Sequence, residues 1–348
     1  MAVTIYDVAK KAGVGIGTVS RVLNSSPRIA PATRARVLKV IKALHYQPHA
    51  MAQGLARKRS LTIAALVPFF TGHFYVELLK GIQQATAHYK YDLILYSIED
   101  VHDKDFYLKR ALQQRRVDGV LLVSLPLSDA FAKDFQRKKL PLVLVDSFHR
   151  EFDSITVNNQ TGAYIAAQHL LRRGHKRLAM ITGHHESAPA QLRHAGFQSA
   201  LQEAGVVVAE DWIVSSDALP DEEVTSNDGF NKATGYFGMK KLLQCNGRRP
   251  TGVFVASDIQ ALGAIKAVRE SGLRIPEDIA IVGFDDIELA EYAGLTTVRQ
   301  PMLQMGKQAV ERLMQLIDAP DSRRQHLRIE TELIVRESSG HAAMPSWP

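Results

Sequence analysis

Positively charged side chains are concentrated in the first sixty residues of this chain. Eleven lysines and arginines lie there against one acidic residue, Asp7, so the segment has a net charge of +10. The whole chain carries +7, which leaves −3 for residues 61–348. This distribution suits binding of a polyanion by the first segment alone, because lysine and arginine neutralise phosphates. Apolar residues recur periodically within the segment, which favours a folded module over a low-complexity basic tail.

Other residue groups could bind a metal or perform catalysis. His184, His185 and Glu186 offer metal-ligand atoms, but adjacent histidines are expected to point different ways. We therefore interpret this stretch as a solvated loop and predict no metal site. Asp285 and Asp286 could suggest phosphoryl chemistry, yet they lack a glycine-rich phosphate loop nearby. Since no Ser-His-Asp or Cys-His arrangement has supporting context, we predict no catalytic residues and no enzymatic activity.

The size and composition of the chain limit its class and its compartment. Its 348 residues are enough for two or three domains, and 46% hydrophobic content with 23% charged residues is typical of a globular protein. No stretch approaches the roughly 18 apolar residues of a membrane span, and the N-terminus lacks the features of a secretory signal. Cys245 is the only cysteine, so no internal disulfide can form. We therefore expect a cytoplasmic protein that does not contact membranes.

Three short helices are predicted to position the basic side chains in a headpiece spanning residues 1–46. Thr4, followed three residues later by an acid, fits a capping box at the start of the first helix. Gly13 can supply a left-handed turn, and a second short helix follows from Ile16 to Leu23. A third helix is predicted to begin near Pro31. Helix, tight turn and short helix form the helix-turn-helix plan, in which the second helix enters the DNA major groove.

The headpiece resembles that of the lactose/galactose repressor family. The segments that carry the resemblance are residues 3–9 (VTIYDVA), 12–14 (AGV), 18–24 (TVSRVLN) and 33–34 (TR). The resemblance implies a sequence-specific transcriptional regulator that binds double-stranded DNA. It assigns DNA contacts to Thr4, Ile16, Gly17, Thr18, Ser20, Arg21, Asn24 and Thr33. The contacts to bases or the groove floor are assigned to Ile16, Gly17 and Arg21, and the phosphate contacts to Thr4, Ser20, Asn24 and Thr33.

Departures from the family pattern concentrate hydrogen-bonded base recognition on Arg21. Gly17 offers no side chain, and Ile16 offers only apolar contact, for example to a thymine methyl group. Gly15 stands where the family usually has serine, so the second helix lacks a good N-cap. Ala30 likewise replaces a hydroxyl residue that the family often uses to cap the third helix.

Residues 47–60 resemble the hinge helix of the family, which pairs with its dimer mate in the minor groove. The resemblance implies that Leu55 wedges between base steps and kinks the duplex, with His49 and Ala52 also at the DNA. His49 departs from the asparagine that is usual at the start of this helix. An isolated helix of this length is unstable in water, so we predict that it is mobile alone and helical on DNA. An ordinary basic linker is the alternative interpretation.

From residue 61 onward, short apolar segments alternate with amphipathic ones. Predicted strands lie at 62–67, 93–96, 119–123, 142–145, 178–181, 253–255 and 280–282, and predicted helices at 77–88, 163–171, 192–204, 233–243 and 259–270. This alternation predicts an α/β core of two doubly wound parallel-sheet lobes, with a cleft at the carboxyl ends of the strands.

The resemblance continues in the core through residue 301 and implies the type I periplasmic-binding-protein-like fold. Val282-Gly283-Phe284-Asp285-Asp286 and Gln300-Pro301 are among the segments that carry it. It places chain crossovers near Asn158, Tyr292 and Ala319 within a core spanning 61–340. The implied N-lobe is about 61–158 and 293–320, the C-lobe is about 159–292 and 321–340, and 341–348 form a tail.

The cleft is expected to bind a sugar or sugar derivative as an effector, with no cofactor. Sugar recognition requires charged planar groups for the hydroxyls and aromatic faces for the C–H surface of the ring. The resemblance assigns the charged groups to Arg193 and Asp285 and the aromatic walls to Phe74 and Phe230. The full implied set is Phe69, Phe74, Asp146, Val157, Arg193, Phe230, Ser257, Asp285 and Gln300.

These inferences predict a repressor of carbohydrate-utilisation genes that binds a near-palindromic operator as a homodimer. No leucine heptad follows Val335, so we expect dimers and not tetramers. The effector could release DNA as an inducer or tighten binding as a corepressor. A purine or nucleoside effector is the alternative, because Phe74 could stack on a base. A sugar-binding transport protein would share the core but leave the basic headpiece unexplained.

Overall fold

The headpiece consists of three helices packed around a small apolar core. The computed structural model describes residues 3–23, 26–46, 59–68, 72–98, 101–113, 116–219, 228–244 and 249–340. The headpiece helices are α1 (Ile5–Ala12), α2 (Ile16–Leu23) and α3 (Pro31–Ala43). The side chains buried between them are Val8, Ala9, Ala12, Val19, Val22, Val37 and Tyr46. These bounds confirm the predicted helix-turn-helix.

Local signals in the sequence set the ends of α1. The Asp7 carboxylate accepts hydrogen bonds from the Thr4 backbone N–H (2.8 Å) and hydroxyl (2.7 Å). Asp7 thereby satisfies a backbone donor at the helix start and lies where the helix dipole favours a negative charge. Gly13 ends the helix with φ of 65°, a conformation that residues with a Cβ atom adopt rarely. The turn to α2 therefore depends on a glycine at this position.

The rest of the described chain alternates between strands and helices. The helices are α4 (His73–His88), α5 (Val101–Ala111), α6 (Asp129–Lys138), α7 (Asn159–Arg172), α8 (Ala188–Glu203), α9 (Lys232–Leu243), α10 (Asp258–Glu270), α11 (Glu288–Tyr292) and α12 (Met302–Asp318). The strands are β1 (Thr62–Val67), β2 (Asp92–Ser97), β3 (Gly119–Val123), β4 (Leu142–Val145), β5 (Asp153–Val157), β6 (Leu178–Ile181), β7 (Ile213–Val214), β8 (Gly252–Val255), β9 (Ala280–Asp285), β10 (Thr296–Arg299), β11 (His326–Ile329) and β12 (Glu332–Ile334).

The strands form two six-stranded sheets, one in each lobe. The strand order is β11-β5-β4-β3-β1-β2 in the N-lobe and β12-β10-β9-β8-β6-β7 in the C-lobe. All pairs are parallel except β10 with β12. The strands β3, β4, β6 and β8 are buried along their whole length, as expected for strands covered by helices on both faces. This arrangement confirms the predicted two-lobed α/β core.

The second and third crossovers between the lobes differ from the predicted positions. The first lies near Asn158, between β5 and α7, as expected. However, β10 belongs to the C-lobe sheet and β11 to the N-lobe sheet. The chain therefore crosses between β10 and α12 and again between β11 and β12, so the boundaries expected near Tyr292 and Ala319 are wrong.

The polar composition of the late strands explains this error. Thr296 and Thr297 of β10 are fully buried, although threonine also suits a loop. The Thr297 hydroxyl donates to the Asp258 carboxylate (2.6 Å), and the Thr296 hydroxyl donates to the Arg336 carbonyl (2.9 Å). Because these partners lie about 40 residues away in the chain, no local pattern could reveal the pairing.

The helices α4 and α12 pack closely against each other in the N-lobe. A Cβ atom on Gly81 of α4 would lie 2.1 Å from the Leu303 carbonyl of α12, and one on Gly306 would lie 2.2 Å from the Leu78 carbonyl. Glycine at both positions lets the backbones approach.

Within the described residues, no helix is both long and apolar enough to cross a membrane.

Candidate functional site

A large cleft opens between the two lobes, at the carboxyl ends of their strands. Its cavity volume is about 1270 Å³. Polar residues reach it from strand ends in both sheets: Ser124 and Asp146 follow β3 and β4, whereas Ser257, Asp285 and Gln300 follow or end β8, β9 and β10. Open α/β sheets bind ligands at this edge, because the strand ends there leave room for loops with free polar groups. The structure therefore brings five polar side chains from separate strands to one cavity.

Arg193 on α8 is a fixed cation in this cleft. It is only 4% exposed. Its Nε donates to Asn159 Oδ1 (2.8 Å), and its Nη1 donates to the Ala256 carbonyl (2.5 Å). The guanidinium carbon lies 3.8 Å from the centroid of the Phe284 ring. Burial lowers the pKa of Arg193, and nearby carboxylates, first that of Asp285, oppose this shift. Arginine stays protonated, so a planar charge is held ready for a ligand.

Asp285 faces Arg193 from the end of β9. Its Oδ1 lies 3.8 Å from Arg193 Nη1 and accepts a hydrogen bond from Gln300 Nε2 (2.6 Å). Its backbone φ is 122°, a strained value for a residue with a side chain. The Oε1 of Gln300 is buried and has no hydrogen-bond partner among the described residues. An unsatisfied acceptor beside a carboxylate suits a ligand that donates hydrogen bonds.

Burial weakens the acidity of three carboxyl groups in and near the cleft, those of Asp285, Asp146 and Asp258. It raises the pKa of Asp285 to about 6, and Arg193 and Gln300 oppose that shift. It also raises the pKa of Asp146, whose Oδ2 accepts a hydrogen bond from the Ser124 hydroxyl (2.8 Å) that opposes the shift. Asp258, which lies below the cleft and is hydrogen-bonded to Thr297, has its pKa raised by burial and by the Asp285 charge. Negative charge in the cleft therefore costs folding free energy when no ligand is bound.

This raised pKa gives the ligand-free protein a pH-dependent stability. The folded state binds the Asp285 proton more tightly than the unfolded state, whose aspartate pKa is about 4. Unfolding therefore releases a proton between pH of about 4 and 6, and the free energy of unfolding falls as pH rises through that window. Asp285→Asn is expected to reduce this fall by on the order of 1–3 kcal/mol, measured by denaturant unfolding from pH 4 to pH 7.

Asp321→Asn is the control for this experiment, because Asp321 is exposed and forms no ion pair among the described residues. It should leave the slope of the stability profile almost unchanged. A wild-type slope in the Asp285→Asn protein would contradict the assignment of the titration to this group.

Aromatic rings line the cleft from opposite lobes. Phe74, in the first turn of α4, belongs to the N-lobe, and Phe230, just before α9, belongs to the C-lobe. The Phe74 ring packs edge-on against Tyr75, with ring centroids 5.2 Å apart. A flat or ring-shaped ligand between Phe74 and Phe230 would contact both lobes at once.

The structure corrects one expected member of the cleft and adds others. Val157 is 3% exposed and packs in the N-lobe core, so its assignment to the cleft is wrong; the last side chain of β5 points to the core face of the sheet. Phe69 lies outside the described residues. The residues missed in the sequence include Tyr75, Ser124, Phe148, Asp228 and Lys232. The position directly after an apolar strand could have identified Ser124, whereas the others follow no such signal.

In the headpiece, α2 presents a consistent outer face. Ile16 is 40% exposed, and Gly17 and Arg21 are exposed beside it, whereas Val19 and Val22 are buried beneath. A Cβ atom on Gly17 would lie 3.7 Å from Arg21 Nη2, so the Arg21 guanidinium lies over the glycine. This face would bring the Arg21 guanidinium and the apolar Ile16 side chain to the base edges in a DNA groove.

The other residues assigned to DNA are less uniformly placed. Thr18, Ser20 and Thr33 are half-buried, and Thr4 is exposed with its hydroxyl already donating to Asp7. Four further assigned residues lie outside the described residues: Asn24, His49, Ala52 and Leu55. The expected hinge helix lies largely there too, as does the tail, so both stay predictions.

Comparison with known proteins matches both parts of the chain. The family described as "Bacterial regulatory proteins, lacI family" matches residues 4–49, and "Periplasmic binding protein-like domain" matches residues 167–339. Catabolite control protein A of Priestia megaterium is 35% identical over 321 residues, which cover 90% of this chain and 92% of that protein. The HTH-type transcriptional repressor PurR of Vibrio campbellii is 34% identical over 340 residues, which cover 96% and 98%.

Solved structures resemble the whole described architecture. The lac repressor dimer bound to operator and the anti-inducer ONPF has a TM-score of 0.83 at 28% identity, with 98% of this chain and 100% of that chain covered. The complex of the transcriptional regulator CelR with cellobiose has a TM-score of 0.71 at 31% identity, with 97% and 99% covered. Both matches span the headpiece and the two-lobed core of this chain.

Proposed function

This chain belongs to the LacI family of bacterial regulatory proteins, which are DNA-binding transcriptional repressors, and we propose that a sugar bound in its cleft sets its affinity for operator DNA. The headpiece supplies the DNA-binding surface, and the cleft between the lobes supplies the effector site. The proposed operator is near-palindromic, because a homodimer presents two headpieces related by a twofold axis. The solved lac repressor dimer on its operator supports this arrangement.

The observation that carries the sugar assignment is the group of hydrogen-bond acceptors that faces Arg193 across the cleft. Asp146, Asp228 and Asp285 contribute carboxylates, which only accept hydrogen bonds when ionised, and Gln300 contributes its unpaired Oε1. A ligand with several hydrogen-bond donors suits these groups. Sugar hydroxyls meet this need, and each of them can also accept a hydrogen bond from Arg193.

The distribution of these groups over two lobes suggests how binding is coupled to DNA. Asp146 and Phe74 belong to the N-lobe, whereas Arg193, Asp285 and Phe230 belong to the C-lobe. A ligand that contacts both sets favours one relative orientation of the lobes. In a dimer, that orientation changes the separation of the two headpieces, and such coupling is typically about 1–3 kcal/mol. Either sign, induction or corepression, is compatible with this mechanism.

A thermal-shift screen of the full-length protein tests the effector assignment. Monosaccharides, disaccharides and nucleobases are added at a common concentration, and the active compound is then titrated into an operator-binding assay at fixed salt. We expect one sugar to raise the melting temperature by several degrees when it saturates the site and to change operator affinity. No response to any sugar, with a clear response to a nucleobase, would contradict the proposal.

A purine effector is the second candidate. The PurR relative of Vibrio campbellii matches 96% of this chain at 34% identity, which is close to the identity of catabolite control protein A. The Phe74 ring could stack on a base. The three carboxyl groups of the cleft favour a sugar over a purine, because a nucleobase carries fewer hydrogen-bond donors than a sugar of similar size.

A further inference from the structure

A second group of chemically active side chains lies beside the cleft, at the outer edge of the C-lobe. The loop after β6 carries His184 and His185, and the short 3₁₀ turn Ser216–Ala218 after β7 carries Asp217. The parallel pairing of β6 with β7 brings these two strand ends together. The sequence predicted that the two histidines diverge; instead their rings stack, with centroids 4.7 Å apart, so that expectation is wrong.

The three side chains lie close together. His185 Nδ1 lies 3.1 Å from Asp217 Oδ2, and one potential ligand atom from each of His184, His185 and Asp217 lies within 4.8 Å of the others. Two ligands on one tetrahedral ion with bonds of about 2.0–2.1 Å are separated by about 3.3 Å, close to the His185–Asp217 spacing. One pair of the group therefore already has nearly the ligand spacing of a tetrahedral ion, and the ligand atom of His184 lies within 4.8 Å of both.

Backbone hydrogen bonds hold this arrangement in place. The His185 N–H donates to Asp217 Oδ1 (3.1 Å), and the His184 N–H donates to the Asp228 carbonyl (2.7 Å). The first of these bonds fixes the orientation of the Asp217 carboxylate beside the His185 ring. An ion would replace the direct contact between His185 Nδ1 and Asp217 Oδ2, and on His184 Nδ1 it would displace a long contact from the Glu186 N–H (3.3 Å).

We propose that His184, His185 and Asp217 bind one divalent transition-metal ion at the rim of the cleft. Two imidazole nitrogens and one carboxylate oxygen form a donor set suited to zinc, nickel or copper, whereas magnesium and calcium prefer oxygen ligands alone. Three protein ligands leave a further position for water. Ser187, Ala188 and Pro189 follow these histidines after Glu186 and line the cleft, so the ion would hold a loop of the effector site.

Competition with a chromogenic zinc indicator tests the site in untagged full-length protein. We expect the wild type to withdraw one equivalent of Zn²⁺ from the indicator, and excess Mg²⁺ should not prevent this. His185→Gln and Asp217→Asn should each weaken Zn²⁺ binding by at least about tenfold. His149→Gln is the matched control, because His149 forms a similar pair with Asp129 (Nε2 to Oδ1, 3.2 Å) outside any three-residue group identified among the described residues. The control should bind Zn²⁺ as the wild type does.

Amide hydrogen exchange locates the bound ion independently of affinity. Zn²⁺ should slow exchange in peptides covering 184–189 and 215–219 in the wild type and not in the Asp217→Asn protein. Melting temperatures measured without metal confirm that the variants are folded. Wild-type Zn²⁺ affinity in both variants, or an equal loss in His149→Gln, would overturn the proposal and leave an ordinary ion pair between His185 and Asp217.

Discussion

Arg193→Ala is expected to abolish the effect of the effector on operator binding while operator affinity without effector stays nearly unchanged. The substitution removes the fixed planar cation of the cleft. It also leaves Asp285 buried without its positive partner, 3.8 Å away in the native protein. Removing one member of a buried ion pair destabilises a protein by about 3–5 kcal/mol, so the variant must be assayed well below its lowered melting temperature. The measurement is an effector titration of operator binding at one salt concentration.

Arg312→Ala separates the loss of the effector site from the loss of stability. Arg312 is buried like Arg193 and pairs with Asp153 at 2.5 Å, but it lies in the N-lobe core region between α12 and β5, away from the cleft. The Arg312→Ala protein should lose a comparable amount of stability and keep its response to the effector. Arg193→Lys tests geometry at constant charge, since lysine lacks the planar fork that binds two oxygens. An unaltered effector titration in Arg193→Ala would contradict the assigned role of Arg193.

Much of the cleft could be predicted because its residues directly follow apolar strands. Asp146 follows β4, Ser257 lies shortly after β8, and Asp285 ends β9; each of these strands appears in the sequence as a short apolar run. Parallel strands place their carboxyl ends at one edge of a sheet, so such residues converge even though they are far apart in the chain. Arg193 carries no such local signal, and its assignment required the family resemblance.

What could not be predicted depends on contacts between distant segments. The late strands β10 and β11 contain threonine, arginine or histidine, so their hydrophobic pattern is weak. Their places in the sheets are set by neighbours such as Asp258 and β5. The approach of Asp217 to His185 across 32 residues has the same origin. The local hydrophobic pattern therefore predicted which strands and helices exist. The positions of the polar strands and side chains depend on contacts with residues far away in the chain.

In the headpiece, Arg21→Ala is expected to lower discrimination between the operator and unrelated DNA. Arg21 is the exposed cation of α2, with its guanidinium beside the bare backbone of Gly17. A bidentate contact from arginine to a guanine edge contributes about 1–3 kcal/mol of discrimination, so the ratio of specific to non-specific affinity should fall by roughly 10- to 100-fold. Salt-matched fluorescence anisotropy with operator and scrambled duplexes measures this ratio.

Arg21→Lys distinguishes base recognition from phosphate neutralisation. Lysine keeps the charge, so the Arg21→Lys protein should have the non-specific affinity and the salt dependence of the wild type. Each lost phosphate contact would change the slope of log affinity against log salt concentration by about one unit. Lysine lacks the fork geometry and should therefore not restore discrimination. If lysine restored both properties, Arg21 would be a phosphate contact. Specificity would then have to come from Ile16, from DNA shape, or from residues beyond the described headpiece, because Gly17 offers no side chain to a base.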